Sequence, residues 1–176
     1  MTGIGGQGIQ LIAKLLAEAA MREGRQVMMF GMFMGMIRGG SSESTIVIGD
    51  AEIITPPLVP SVWGVVAMHG DGLAKLKERI EPDGVLLTNA NLIAPPPSWE
   101  GVRHIAVPAT ETAKAMGQLL GASMVALGAF AAATGIVTID SLQAALTTVL
   151  PPHRAKHVEG NRALIERGAA LVTPGG

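Results

Sequence analysis

The chain has 176 residues, a formal net charge of −1 and only 15% charged residues against 48% hydrophobic. That length suits a single domain, residues 1–176, with a sizeable core. The near-neutral balance, with no basic stripe and five aromatics, argues against nucleic-acid binding. Cysteine is absent, so this chain holds no disulfide, thiol nucleophile or Cys-ligated zinc or iron–sulfur site.

Roughly a quarter of the residues of a free soluble domain are charged. The apolar surplus here is therefore expected to face a partner subunit, since obligate interfaces resemble a core cut in half. Half of the ten methionines lie between Met28 and Met36, and adaptable thioether surface suits such an interface. No run approaches the ~18 apolar residues of a membrane span. No signal peptide is visible, and a cytoplasmic location is the default expectation.

In chain order, Thr2-Gly3-Ile4-Gly5-Gly6-Gln7-Gly8 is a glycine-rich loop opening into an amphipathic helix, Ile9 to Arg22, which Gly24 stops. Only Met1 and Thr2 precede Gly3, whereas a phosphate-binding loop follows a strand. The expectation is that the natural first strand begins upstream of Met1. Val27 to Phe30 reads as a buried strand, Gly31 to Glu43 as a Met/Gly-rich loop, and Ser44 to Ile48 as a second strand. Glu52 to Pro57 reads as an edge strand or extended connection, because proline cannot donate to a ladder. Val62 to Met68 is a continuous apolar run, the pattern of a parallel strand covered on both faces. A short helix, Gly72 to Ile80, leads to a Pro82-Asp83-Gly84 turn and a strand, Val85 to Asn89.

Pro95-Pro96-Pro97 marks a surface loop, and Val102 to Val107 a last strand. Helices are expected over Ala109 to Leu120, Ser123 to Ala133 (apolar all round, hence buried) and Ile139 to Leu150. His153 to Leu171 reads as a charged surface helix. Alternating strands and helices give a three-layer, Rossmann-like α/β domain with a mainly parallel sheet and a helical C-terminal part.

The candidate site is a pair of loops. Gly5, Gly6, Gln7 and Gly8 let the backbone approach a ligand and aim N–H groups at an anion on a helix N-terminus. The second loop, Met36 to Glu43, carries Arg38 with Gly39 and Gly40; a guanidinium there favours bidentate contact with carboxylate or phosphate. Each loop ends a strand-like run, which places both on one edge of the sheet, where open parallel sheets bind ligands. The Gly3-x-Gly5-x-x-Gly8 spacing alone is weak, and NAD(P) binding would want an acidic residue about 20 residues on. The next strand ends Phe30-Gly31-Met32 instead. A tight turn that binds nothing stays open as a reading.

Ser41, Ser42 and Ser44 read as turn and capping residues, and Asn89 and Asn91 as turn formers. His69, at a strand end, is more simply a core-edge histidine. His104, His153 and His157 show no metal-ligand spacing. No catalytic residue and no metal ligand is assigned to this chain.

Taken together, Gly3-Ile4-Gly5-Gly6-Gln7-Gly8 and Arg38-Gly39-Gly40 before Thr45-Ile46-Val47-Ile48-Gly49-Asp50 resemble the gamma subunit of 2-oxoacid:ferredoxin (acceptor) oxidoreductases. Glu159-Gly160-Asn161-Arg162-Ala163 with Gly168 is similar to that family's C-terminal signature. The family includes pyruvate, 2-ketoisovalerate, 2-oxoglutarate and indolepyruvate oxidoreductases. The resemblance implies a subunit inactive alone and holding no cofactor of its own. Its partners would be thiamine-diphosphate-binding and iron–sulfur subunits, with magnesium, coenzyme A and ferredoxin or another acceptor serving the complex. Gly5, Gly6, Gln7, Gly8, Arg38, Gly39 and Gly40 would then face the coenzyme A side of the site or a partner loop. The apolar stretch Gly31 to Ile37 departs from the family's more polar one and points to a bulky 2-oxoacid or a greasier subunit contact. The alternative from another class is a stand-alone adenine-nucleotide or NAD(P)-binding regulatory module.

Overall fold

The computed structural model describes residues 1–33, 40–54, 59–71 and 73–172. Six strands form one sheet: β1 (Thr2–Ile4), β2 (Gln26–Phe33), β3 (Ser41–Gly49), β4 (Val62–Ala67), β5 (Ile80–Asn89) and β6 (Arg103–Val107). Their order across the sheet is β2-β3-β1-β4-β5-β6. The β1–β4, β4–β5 and β5–β6 pairings are parallel, while β3 runs antiparallel to both β1 and β2. The sheet is thus mixed, and parallel on the β1 to β6 side.

The helices are α1 (Ile9–Arg22), α2 (Leu73–Lys77), α3 (Ala109–Ala115), α4 (Ala122–Thr134), α5 (Ile139–Val149) and α6 (Val158–Ala170). The main core joins one face of the sheet to the helices α1, α3, α4, α5 and α6, with Ile12, Leu16, Val66, Leu87, Leu127, Leu146 and Leu164 all sealed inside. α4 is buried on every side from Ser123 to Ala131, which is why its sequence shows no polar face. The second face carries a thinner layer. Val65, Ala67 and Leu86 meet Leu76 of α2 and Ile93, Trp99 and Val102 of the following segment. No helix among the described residues is long and apolar enough to cross a membrane.

Several elements depart from the sequence reading. β2 and β3 extend into the expected Met/Gly loop, pairing from Gln26↔Gly49 as far as Phe33↔Ser42; residues 34–39 of that loop lie outside the described residues. Glu52–Ile54 is not a strand, and residues 55–58 also lie outside the described residues. The Pro82-Asp83-Gly84 turn sits inside β5 as an irregularity where the β4–β5 register shifts, with Asp83 at φ 62. α3 stops at Ala115 because Gly117 takes a left-handed conformation, φ 71. The C-terminal helix starts at Val158 after a 3-10 segment, and it is half-buried, with Leu164, Ile165 and Gly168 inside.

Candidate functional site

β1 delivers the glycine loop at its C-terminal end, the edge where β4 and β5 also end. Gly8, φ 78, is the N-cap of α1, and its carbonyl accepts from both Leu11 and Ile12 N–H. The first N–H groups of the helix therefore lack intrahelical partners. The second loop returns to the same place: Gly5 N–H donates to the Gly40 carbonyl at 2.8 Å, directly beyond the Ile4↔Ser41 pair. The structure thus brings the two glycine motifs together for the residues it describes. Arg38 and Gly39 lie outside them.

Not every loop N–H expected to face a ligand is free to do so. That of Gly5 is taken by Gly40, and that of Gln7 by the Ile4 carbonyl at 3.2 Å. Gln7 also spends its side chain on the fold: Oε1 accepts from Ile4 N–H at 2.9 Å, and Nε2 donates to the Met68 carbonyl at 3.3 Å. It is the strut that sets the loop against the end of β4. The N–H groups of Gly6 and Gly8 donate to no described residue, and Gly6 is exposed at φ 96. These two, with the first turn of α1, leave backbone donors open at this end of the loop.

Neighbouring side chains are structural. Gln10 ties α1 to β3, accepting from Ser44 Oγ at 2.9 Å and donating to the Glu43 carbonyl at 2.9 Å. Asn91 Oδ1 accepts from Thr110 and Glu111 N–H and so caps α3, while the buried Asn89 donates to Thr110 Oγ1 at 2.8 Å. His69 Nδ1 accepts from Asp71 N–H at 3.3 Å. His104 Nε2 lies 2.8 Å from Thr88 Oγ1, and burial lowers its pKa below the usual histidine value. No group of three His, Asp or Glu side chains among the described residues is placed to hold a metal.

Two features escaped the sequence. Leu119 and Leu120, 56% and 89% exposed, stand just before Ser123, whose Oγ lies 2.9 Å from where a Cβ on Gly8 would sit. Two large apolar side chains are thus exposed on the turn that leads into α4, whose Ser123 meets the glycine loop. The other feature is a cavity of about 490 Å³ between β3 and β4 at the opposite edge of the sheet, away from both loops. Its detection needs three strands in register, which no local pattern announces.

The strand order bears on the glycine motif. In a dinucleotide fold the acidic residue that meets the ribose ends the strand that follows the glycine helix and pairs directly with the glycine strand. Here that neighbour is the antiparallel β3, and β2 lies one strand further out. The strand that follows α1 therefore does not pair with the glycine strand.

The sequence matches the family described as Pyruvate ferredoxin/flavodoxin oxidoreductase over residues 1–171. It is 29% identical over 182 residues to the 2-oxoglutarate synthase subunit KorC of Methanothermobacter thermautotrophicus, covering 99% of this chain and 94% of that one. The gamma subunit of a keto/oxoacid ferredoxin oxidoreductase from Geobacter sulfurreducens has the same structure, with TM-score 0.80, 29% identity, and 96% and 94% of the two chains covered. The fold also recurs in the 2-oxoglutarate:ferredoxin oxidoreductase of Magnetococcus marinus, solved with 2-oxoglutarate, coenzyme A and succinyl-CoA. There the TM-score is 0.83 and the identity 23%, over 98% of this chain and 30% of that one. Matched along almost its whole length, the chain belongs to the pyruvate ferredoxin/flavodoxin oxidoreductase family, as a gamma-type subunit of a 2-oxoacid:ferredoxin oxidoreductase.

Proposed function

We propose that this subunit packs on the thiamine-diphosphate-binding and iron–sulfur subunits of its complex and forms the coenzyme A side of their site. The observation that carries the reading is the Gly5 N–H to Gly40 carbonyl bond, which brings Gly40, the residue that follows Arg38-Gly39 in the sequence, to the glycine loop. Unused N–H groups at Gly6, Gly8 and the first turn of α1 offer an anion several donors and the positive end of a helix dipole. Arg38 adds charge-assisted hydrogen bonds, the strong kind for phosphate. The exposed Leu119 and Leu120 before α4 supply apolar contact to the neighbouring subunits. Coenzyme A brings the thiol that accepts the acyl group. This chain's share is to hold the coenzyme's phosphates and keep water from the join between subunits, and it moves no proton.

The test uses the native complex, pulled down through this chain. Thiamine-diphosphate-binding and iron–sulfur subunits are expected in the eluate. In the complex rebuilt with Arg38→Ala, KM for coenzyme A rises by roughly 10- to 100-fold, the loss of about 1.5–3 kcal/mol from a charged hydrogen bond, while kcat changes little. An unchanged KM for coenzyme A assigns the loops to subunit contact alone, and a lone monomer in the eluate removes the subunit reading with it.

A further inference from the structure

β1 has three residues, whereas the strands on either side of it, β3 and β4, have nine and six. Thr2 pairs with Glu43 on one side and Ala67 on the other. Beyond that rung β3 continues through Thr45–Ile48 and β4 lies back along Val62–Val65. Their facing edges have no partner among the described residues. Strands flanking a common neighbour stand about 9.6 Å apart, the width of one strand. The cavity of about 490 Å³ occupies this space. Leu16 and Phe130 close it on the helical face and Leu76 on the other.

The end of the cavity is the Met1 nitrogen. It donates to the Ser44 carbonyl at 2.8 Å, and the Met1 carbonyl accepts from Ser44 N–H at 2.9 Å. That exchange is the hydrogen-bonded pair of an antiparallel ladder, so the nitrogen occupies the position of a ladder amide. As an amine it is badly placed: burial drives its pKa from 8.0 down to about 6. A peptide N–H would make the same bond with no charge to desolvate. Beside it the buried Thr2 Oγ1 has no hydrogen-bond partner among the described residues.

We propose that the cavity is the seat of polypeptide joined to the Met1 nitrogen, an extended segment of about four residues that continues β1 upstream, antiparallel to β3 and parallel to β4. The register gives each position its neighbours. The residue before Met1 lies between Thr45 and Val65, and the one before that between Ile46 and Gly64. Gly64 has no side chain because the Phe130 ring stands 2.7 Å from where its Cβ would be, so the residue beside it points an apolar side chain at that ring. Covered on both faces, the segment reads as an apolar run. A strand from another subunit would instead end against the Met1 amine and leave it buried, whereas a peptide continuation replaces it with a ladder N–H.

Intact-mass measurement and N-terminal sequencing of the chain from its own cells test this, followed by hydrogen exchange on the same material. The expected result is a mass above 18.1 kDa, an apolar run before Met1, and cavity-facing amides at Ile46, Ile48 and Gly64, the alternate positions from Ser44 and Met68 whose N–H groups donate to Met1 and Thr2, that exchange at least about 100-fold slower than in the unfolded chain. A native chain beginning at Met1 overturns the proposal, whether its amides at these positions are protected by a partner's strand or exchange fast. An upstream extension that leaves those amides in fast exchange overturns it equally.

Discussion

α4 and α6 cross through a reciprocal pair of glycines. A Cβ on Gly128 would fall on the Ile165 carbonyl oxygen, and a Cβ on Gly168 on that of Val125. Each glycine thus meets the carbonyl of the residue three positions before its counterpart, a close approach that only hydrogen-sized groups allow. Gly168→Ala gains up to about 1 kcal/mol of helix propensity. It also forces a methyl against backbone, which no rotamer can relieve, so the helices must separate at the upper end of the ~1–3 kcal/mol overpacking range. The net loss is about 2 kcal/mol, read as a lower urea midpoint with an unchanged slope and a Tm lower by about 4–8 °C. Gly160→Ala in the first turn of α6 is the control. The atoms nearest its methyl belong to the Gln118 side-chain amide, which can swing aside for the loss of one long bond, 3.3 Å, to the Gly160 carbonyl, and the gain in helix propensity offsets that loss so that stability changes by less than about 1 kcal/mol. Gly128→Ala with Gly168→Ala together costs less than the sum of the two, since one methyl already parts the helices. A Gly168→Ala chain as stable as Gly160→Ala would refute the argument.

Two further outcomes follow from single groups. Gln7→Glu keeps the acceptor for Ile4 N–H but sets a carboxylate against the Met68 carbonyl in place of a donor; the loss is about 1–3 kcal/mol at pH 7, measured by urea unfolding. In a chain with a free Met1 amine, the folded-state pKa of about 6 lies below the 8.0 of the unfolded chain, so the unfolded state binds more protons between those values. Stability then rises from pH 6 to pH 8, by up to about 2–3 kcal/mol, whereas a chain extended or acetylated at that nitrogen lacks the rise; denaturant midpoints across the range decide.

Local patterns were readable where they met local physics. α1 runs from Ile9 to Arg22 as its apolar spacing and the flanking Gly8 and Gly24 require, and the apolar run from Val62 became the central parallel strand β4. The misread segments owe their structure to distant partners. Gly31, Ser42 and Glu43 carry loop-like chemistry, yet they are strand because β2 and β3 pair across the edge of the sheet and Gln10 reaches over from α1 to hold them. Asp83 and Gly84 spell a turn, and one is present, but β5 passes through it because Gly84 lets Trp63 and Glu81 carbonyls approach within 2.7–2.8 Å of its notional Cβ. Gly168 looks like a weak point on a surface helix until Val125 is seen beneath it.

The glycine loop shows the same division most sharply. Its spacing reports correctly a tight strand-to-helix turn with N–H groups aimed outward. It does not report which strand lies beside β1, and the ligand class depends on that. With a parallel neighbour ending in a carboxylate, the loop would present a dinucleotide's ribose with its partner. With antiparallel β3 in that place, the neighbour contributes the start of a strand rather than its end, and Gly40 just before it accepts from Gly5 N–H. A motif shared by many nucleotide folds thus meets the start of a strand at Gly40 where a dinucleotide fold sets the end of one, so its spacing alone could not name the ligand.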